Sequence, residues 1–434
     1  MSYKAYVTYV KNIRPAENAD RLNACEVFGN TTIIDKTITE DTLILYLPSD
    51  GQISVEFGEK NNLFRRKDEN GNNVGGFVDP DKRNIAAIRL RGNRSDGLVL
   101  PISCLNYCFS HGDASIEFHA GDVIDGFVNG HEIARKHIPK TNHRNHVSGA
   151  HNKTKKKKVV IEVVFPQHID SPQLKYNLNS FKSGDLITIT EKLEGTSHRS
   201  ALLPVKKTNF FRRLFGIPEK VVYKDYCGSR RVTINQNNSE TGYYGNNNFR
   251  LDIHKRLLPH LTPNLEVFGE IVGWPGKGQA PLMGEVDTKC LGDKNFTKIY
   301  GEKMIFHYGC KNGEYDFYIY RICELDEDGE VKIEYSTDQI ISWCELHGFK
   351  YVPVLYRGFL KEAEDILYLG EKYCDGESTL AHHWREGCVI RRDNNARKFD
   401  VYKNKNFNYK MMKGMFVEQL SEEDIVDNDI LEEM

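Results

Sequence analysis

The stretch Ile187-Thr188-Ile189-Thr190-Glu191-Lys192-Leu193-Glu194-Gly195-Thr196-Ser197 decides how the rest of this chain is interpreted. Alternating apolar residues run directly into Lys192, and a glycine and two small hydroxyl residues follow. This pattern predicts a buried strand that ends at a tight turn, with Lys192 directed into the space beyond the strand end. A surface lysine at the end of an ordinary strand produces the same short pattern, so the stretch needs support from elsewhere in the chain.

A lysine in this position could act as a nucleophile. An amine attacks only when it is neutral, and at a reference pKa near 10.4 only about one lysine in 2,500 is neutral at pH 7. We therefore expect nearby positive charge, from a metal ion or from further lysines and arginines, to lower the pKa of Lys192. Gly195 would let a nucleotide approach the backbone closely, and Thr196 and Ser197 could donate to its phosphates.

Composition excludes several classes of protein. The 59 Lys and Arg residues nearly balance the 61 Asp and Glu residues, so the net charge does not indicate a nucleic-acid-binding protein. No apolar run approaches the ~20 residues of a membrane span, and the first 20 residues lack a signal-peptide pattern. The ten cysteines form no disulfide framework. We expect a cytoplasmic protein without a membrane partner, and a monomer.

The N-terminal third predicts short strands separated by turns, at Ala5–Val10, Thr31–Ile34, Thr42–Leu47, Ile85–Leu90 and Gly97–Leu100. A small closed barrel is the economical fold for such a segment. The stretches 13–22 and 88–98 resemble the opening and a later strand and turn of OB-fold domains that bind tRNA or other nucleic acid.

Three arginines in the second of these stretches suggest a nucleic-acid contact. Arg89, Arg91 and Arg94 could line a groove that follows a phosphate backbone. A solvated basic strand explains them equally well, and the sequence leaves both interpretations open.

Further motifs follow Lys192 in order along the chain. Ser229-Arg230 comes after a small-residue turn, and Glu270 is the central acid of an apolar strand. Such a buried carboxylate needs a cation or hydroxyl partner. Phe317 begins an aromatic strand able to stack a base, Glu386-Gly387 opens another strand, and Lys410 lies in an apolar context near the C-terminus.

Together these motifs resemble the covalent nucleotidyltransferase superfamily of DNA ligases, RNA ligases and mRNA capping enzymes. Two positions depart from that pattern. The last motif of the superfamily usually has Lys-x-Lys, whereas Met412 follows Lys410 at the second position, with Lys413 one place on. The aromatic motif usually ends in Asp, where this chain has Arg321.

The resemblance implies an α+β chain in which an N-terminal OB-fold β-barrel precedes a nucleotidyltransferase domain of antiparallel sheets flanked by helices. We expect an OB-fold domain at 1–134, a basic flexible linker at 135–158, an adenylyltransferase domain at 159–417 and an acidic tail at 418–434. This order resembles the ATP-dependent RNA ligases with an N-terminal OB domain. A DNA ligase, a capping-type guanylyltransferase and a nonenzymatic OB-fold nucleic-acid-binding protein are the alternatives.

The resemblance also implies an activity. The enzyme would transfer AMP from ATP to Lys192, then to an RNA 5′-phosphate, and a 3′-OH would displace the AMP to seal nicked or broken RNA, in a duplex or an RNA–DNA hybrid. It assigns catalysis to four residues, metal binding to three and ATP or AMP binding to seven. The catalytic residues are Lys192, Lys410, Glu270 and Glu386; the ligands of Mg²⁺ or Mn²⁺, through water, are Glu194, Glu270 and Glu386; the nucleotide contacts are Glu191, Lys192, Gly195, Arg230, Glu270, Phe317 and Lys410.

Overall fold

The structure is a computed structural model that describes residues 3–19, 21–71, 73–109, 117–137, 165–168, 170–207, 220–234, 244, 248–326, 328–394 and 399–414. Most of the predicted linker and the acidic tail lie outside these ranges. The first residues of the predicted linker lie in β-strand Ala134–Lys136, which pairs with strand Gly51–Ile53. Among the described residues, no helix has the length and apolar character needed to cross a membrane.

The chain divides into two compact units. The first unit contains the N-terminal 140 residues together with Thr288–Thr297 and Phe407–Gln419. The second contains Thr141–Asp287, Lys298–Asn406 and Leu420–Met434. Two segments that follow the nucleophile stretch in sequence therefore belong to the N-terminal unit.

The strands of the first unit are short and mostly antiparallel. They are β1 Ala5–Thr8, β2 Lys11–Pro15, β3 Leu22–Val27, β4 Asn30–Asp35, β5 Ile44–Leu47, β6 Gly51–Ile53, β7 Arg65–Lys67, β8 Asn73–Gly75, β9 Ala87–Leu90, β10 Asn93–Asp96, β11 Leu98–Pro101, β12 Val123–Ile124, β13 Phe127–Val128, β14 His131–Glu132 and β15 Ala134–Lys136. The five strands predicted from sequence are confirmed.

Hydrogen bonding divides these strands into several small sheets. One sheet has the order β11-β5-β1-β12, another has the order β2-β3-β4, and β9 and β10 form a hairpin. Side chains join the last two, since the Thr32 hydroxyl donates to the Asp96 carbonyl over 2.9 Å and Ser95 Oγ accepts from the Ile33 N–H. The described strands do not close into one hydrogen-bonded barrel, so the OB-fold barrel stays a prediction.

The second unit is built on two larger antiparallel sheets. Its strands are β16 Leu186–Lys192, β17 Thr196–Lys207, β18 Lys220–Gly228, β19 Thr233–Ile234, β20 Leu265–Gly273, β21 Glu285–Asp287, β22 Lys303–Ile305, β23 Tyr315–Leu325, β24 Val331–Glu334, β25 Lys350–Tyr351, β26 Val354–Phe359, β27 Gly387–Arg392 and β28 Asp400–Lys405. The smaller sheet has the order β26-β16-β27-β28, and the larger runs β19-β18-β17-β20-β23-β24, with β25 parallel to β23. The α+β prediction is therefore confirmed at this level.

The α-helices in the described ranges are short. They are α1 Val55–Lys60, α2 Asn248–Leu257, α3 Lys294–Tyr300, α4 Thr337–His347, α5 Asp365–Cys374 and α6 Phe407–Met412. Helix α4 shows how local sequence sets a boundary. Ser336 and Gln339 form a reciprocal capping box at its start, and Gly348 ends it at φ 70°, a left-handed conformation that glycine adopts without strain.

Both faces of the larger sheet are covered. Val267 and Ile271 of β20 pack with Phe317 and with the apolar residues of α2 and α4. Phe268 projects from the opposite face and packs with Phe165, Ala201 and Cys323. Because side chains alternate along a strand, Glu266 and Glu270 lie on the Phe268 face.

Glu266 is a buried acid without a hydrogen-bonding partner. Its side chain is 0 % exposed, and neither carboxyl oxygen accepts a hydrogen bond from the described residues. Burial raises the pKa of Glu266 to about 8, although Arg199 and Arg321 act to lower it. The folded protein therefore retains a proton here that the unfolded chain releases at a much lower pH.

This proton makes stability depend on pH. The Glu266 contribution is fully present below the unfolded pKa and is lost as the pH rises towards 8, since the unfolded chain then ionises first. We expect Glu266→Gln to match the wild type near pH 5 and to exceed it near pH 8, by on the order of a few kcal/mol. Urea denaturation followed by circular dichroism measures the difference. The control is Glu285→Gln, at an exposed acid, and equal pH dependence of wild type and Glu266→Gln would refute the assignment.

Candidate active site

Two lysines lie in one row of the smaller sheet. Lys192, the last residue of β16, is opposite Gly387 on β27, and Gly387 is opposite Lys405 on β28. A Cβ at Gly387 would lie 2.2 Å from the Asn404 carbonyl oxygen, so only glycine fits between the two lysine positions. The strand register therefore brings together two amines that are 213 residues apart in the sequence.

Glu386 connects the two amines. Its Oε1 atom is 3.0 Å from Lys192 Nζ and 3.1 Å from Lys405 Nζ. Its Oε2 atom accepts a hydrogen bond from Lys192 Nζ over 3.1 Å. The carboxylate is only 1 % exposed, so the interaction is weakly screened.

The carboxylates dominate the protonation of Lys192. Burial acts to lower its pKa, but Glu386, Glu270 and Glu194 together raise the pKa above the ordinary lysine value. Lys192 is therefore an ammonium ion at neutral pH in this structure. The expectation of a lowered pKa is not met by the protein groups alone, because acids rather than cations surround the amine.

Glu270 and Glu194 complete this acidic surround. Burial, with the negative charges of Glu386 and Glu194, raises the pKa of Glu270 to about 8, while Lys192 and Arg230 act to lower it. Glu270 is paired with Ser197 across β17 and β20, which brings it beside the turn after Lys192. The structure thus brings together Lys192, Glu194, Glu270 and Glu386, as the sequence predicts.

The three acids do not form a ready set of direct metal ligands. Within the described ranges, no group of three or more His, Cys, Asp or Glu side chains is arranged to hold a metal ion. Their oxygens are nevertheless the donor type that Mg²⁺ and Mn²⁺ prefer, and Mg²⁺ usually keeps several of its waters in proteins. The donor set fits a hydrated divalent ion held through water.

The turn between Lys192 and β17 packs closely on β20. A Cβ at Gly195 would lie 2.3 Å from the Ile271 carbonyl oxygen. From the other side, the buried Arg250 guanidinium donates to Thr196 Oγ1 over 2.6 Å and to the Ser197 carbonyl. Gly195 is therefore needed for the approach of two backbones, in addition to any approach of a nucleotide.

Two residues that were predicted to bind the nucleotide have buried side chains that contact other parts of the protein. The Glu191 carboxylate is buried and accepts hydrogen bonds from the Thr379 amide and hydroxyl over 2.9 and 2.7 Å. Phe317 is 2 % exposed and packs in the core on the face of the larger sheet opposite Glu270. The prediction that its ring stacks on a base is corrected, because strand alternation turns that ring away from the site.

Two tyrosines of β23 lie on the Glu270 face: Tyr318 is directly opposite Glu270, and Tyr320 packs with the Phe268 cluster. The electrostatics connect Tyr320 with the site. Burial and the negative charge of Glu270 raise the pKa of its phenol, and Arg230 acts in the opposite direction. The ring of His168 lies edge-on to it, with centroids 5.6 Å apart. Arg230 itself pairs with Asp170 and influences the pKa of Glu270, so it lies near the predicted site.

The predicted catalytic residue Lys410 forms an ion pair within its own unit. It lies on α6, which belongs to the first unit, and its Nζ atom is 2.9 Å from Asp96 Oδ2. The nearby Phe407 ring packs under the guanidinium groups of Arg89 and Arg94, at 5.9 and 5.1 Å. The catalytic role of Lys410 stays a prediction; Asp96, its partner over this distance, is an acid of the same unit.

The three predicted nucleic-acid contacts divide into a pair and a single residue. Arg89 and Arg94 are directly opposite each other in the β9–β10 hairpin and share one face. Arg91 lies in the turn with φ 51°, is exposed, and donates to the Asn18 carbonyl over 3.0 Å. Arg91 and Arg94 are exposed, so both can reach a phosphate.

Lys405 is the site residue that sequence reasoning missed. The signal was present, because Lys403-Asn404-Lys405 has the Lys-x-Lys spacing of the superfamily's last motif. Lys403 lies on the same face of β28, two residues away. The choice of Lys410 followed its apolar neighbours, which are instead the residues that pack α6 into its unit.

The antiparallel sheets, the strand-end lysine and the surrounding acids define a nucleotidyltransferase-type fold and site. A family model described as RNA ligase matches residues 185–407, which is more than half of the chain. The chain therefore belongs to the RNA ligase family, and the resemblance to that branch of the superfamily is confirmed.

Solved structures show the same fold over nearly the whole chain. The Naegleria gruberi RNA ligase with pyrophosphate is 18% identical with a TM-score of 0.57, and the match covers 93% of this chain and 97% of that one. A lysine-to-alanine variant of that enzyme with ATP and manganese is 18% identical with a TM-score of 0.54, covering 94% and 98%. The comparison with curated proteins finds no match.

Proposed function

We propose that this RNA ligase is ATP-dependent and forms a covalent lysyl-AMP at Lys192. The observation that carries the proposal is the Glu386 carboxylate held between the Lys192 and Lys405 amines at the end of β16. Lysine-substituted variants of the Naegleria gruberi enzyme have been solved with ATP and manganese and with AMP and manganese, which supports the same nucleotide and a divalent cation here.

In the first step, Lys192 Nζ forms a bond to the ATP α-phosphorus while the bond to the pyrophosphate oxygen breaks. The amine must first lose a proton to solvent, which reaches its partly exposed side chain, and the surrounding carboxylates oppose this loss in the free protein. Mg²⁺ or Mn²⁺, held through water by Glu194, Glu270 and Glu386, would supply positive charge that lowers the pKa of Lys192 and balances the phosphate. Glu386 would exchange its ion pair with Lys192 for interactions with these waters.

The remaining residues hold the nucleotide. Lys405 has the position from which an ammonium group stabilises negative charge developing on the α-phosphate, with Lys403 as a second cation. Tyr320 would stack on the adenine, and Arg230 and Glu270 would hold the ribose and the flanking phosphate. Gly195 leaves room for the nucleotide at the turn.

The next two steps would transfer AMP to an RNA 5′-phosphate and release it when a 3′-OH attacks. We propose that residues 1–134 form an OB-type domain that binds the RNA, with Arg91 and Arg94 as phosphate contacts, and that 159–417 carry catalysis. The exposure of Arg91 and Arg94 supports the first part. The substrate would be nicked or broken RNA, in a duplex or an RNA–DNA hybrid, and the enzyme would act as a monomer.

The first prediction tests whether Lys405, rather than Lys410, stabilises the reacting phosphate. We expect Lys405→Ala to slow the labelling of the protein by α-labelled ATP at least ~100-fold, because a charge at the reacting phosphate is lost. The matched control Lys410→Ala should label within about three-fold of wild type, although it melts at a lower temperature because buried Asp96 loses its cation. Rates are taken below all melting temperatures. A reversed order of the two variants would restore Lys410 as the catalytic residue.

The second prediction concerns the two sides of the break. The 2′-OH and the sugar pucker set where a terminal 3′-OH points, and attack on the pyrophosphate needs an aligned approach. Nicks with RNA or DNA on each side should therefore seal ~100-fold more slowly with DNA at the 3′-OH side, whereas DNA at the 5′-phosphate side should be tolerated. The final sealing step is measured on pre-adenylylated nicks. Equal rates with DNA and RNA 3′ ends would favour a DNA ligase.

A further inference from the structure

A buried tyrosine that the proposed mechanism does not use contacts the nucleophile turn directly. Tyr308 lies between β22 and β23, is 3 % exposed, and its hydroxyl oxygen accepts a hydrogen bond from the Glu194 N–H over 2.6 Å. Glu194 is two residues after Lys192 and is one of the acids around that amine. The phenol therefore fixes the backbone from which the Glu194 carboxylate projects.

The backbone of Tyr308 is strained, and contacts with His383 stabilise it. Its φ of 47° lies in the left-handed region, which costs a non-glycine residue of order 1–3 kcal/mol. The Tyr308 N–H donates to His383 Nε2 over 3.2 Å, and the two rings meet edge-to-face with centroids 4.5 Å apart. The surrounding structure thus keeps this residue in a conformation that it would not adopt alone.

The state of His383 is set by its two partners. Nε2 accepts the hydrogen bond from the Tyr308 backbone N–H, so Nδ1 carries the ring hydrogen and donates it to the Trp384 carbonyl over 3.0 Å. Burial, the main cause, lowers the pKa of His383 to about 4, so the ring is neutral under ordinary conditions. His383 lies three residues before Glu386. One rigid connection therefore runs from the segment that carries Glu386, through Tyr308, to Glu194.

The phenol also stays protonated. Burial and the charges of Glu386, Glu194 and Glu191 raise the pKa of Tyr308 well above its ordinary value. A neutral hydroxyl can accept from the Glu194 N–H and keep its own hydrogen.

We propose that Tyr308 is a positioning residue for lysine adenylylation, which holds Glu194 in the orientation that a hydrated divalent cation beside Lys192 requires. This inference rests on the proposed function. Without the phenol oxygen, the Glu194 N–H loses its acceptor and the turn can shift. Displacements of about 1 Å at a reacting centre can cost 10²-fold in rate.

The test compares Tyr308→Phe with Tyr335→Phe. Both remove one tyrosine hydroxyl, and that of Tyr335 donates to Glu324 over 3.3 Å at the far end of β23. We expect Tyr308→Phe to slow lysyl-AMP formation by about 10- to 100-fold with the KM for ATP within about two-fold. It should also raise several-fold the Mn²⁺ concentration for half-maximal binding, read from the free-Mn²⁺ electron paramagnetic resonance signal with a non-cleavable ATP analogue. Tyr335→Phe should change neither quantity by more than about two-fold.

A double-mutant cycle separates positioning from a general structural effect. In a Glu194→Gln background, Tyr308→Phe should weaken Mn²⁺ binding no further, whereas a purely structural role weakens it equally in both backgrounds. All measurements are made below the melting temperatures of the variants. A Tyr308→Phe protein with wild-type Mn²⁺ binding, or an additive cycle, would overturn the inference. A wild-type protein that forms no lysyl-AMP would instead refute the proposed function.

Discussion

The candidate active site depends on one carboxylate that pairs with two amines. Glu386 is almost completely buried and contacts both Lys192 and Lys405 at hydrogen-bonding distance. Removing one partner from such a group leaves an uncompensated buried charge, so the three side chains form a unit. The same carboxylate raises the pKa of Lys192 and keeps it protonated. In the proposed mechanism, a cation and a nucleotide would replace these ion pairs.

Strand pairing in the smaller sheet fixes the relative positions of these three side chains. Gly387 on β27 lies between Lys192 on β16 and Lys405 on β28. The tight turn at Gly195 leads from the smaller sheet to the larger one, which contains Glu270 on β20. Burial raises the pKa of Glu270, and a buried carboxylate interacts strongly with a cation because its charge is weakly screened. Tyr308 adds a second restraint on the turn, at Glu194, at the cost of local backbone strain.

Local pattern was enough to find Lys192, Glu270 and Glu386, because each stands at a strand end or as a single acid among apolar residues. It was not enough for Phe317 and Tyr320, whose faces depend on the strand that they pair with and on a register shift between β20 and β23. Lys405 and Lys410 each follow a plausible motif, and only the pairing of β28 with β27 separates them. The N-terminal strands were predictable from alternation and turns, whereas their grouping into sheets depends on long-range contacts.

The most direct test of this account is the reactivity of the Lys192 amine in the free protein. Lys192 is 26% exposed, so an acylating reagent can reach it, and mass spectrometry of peptides measures its modification. Glu386→Gln should lower the pKa of Lys192 and increase its modification by about ten-fold for each pKa unit lost. The exposed pair Lys303 and Glu285 provides the control, since Glu285→Gln should leave Lys303 nearly unchanged. Equal modification of Lys192 with and without the Glu386 carboxylate would contradict the account.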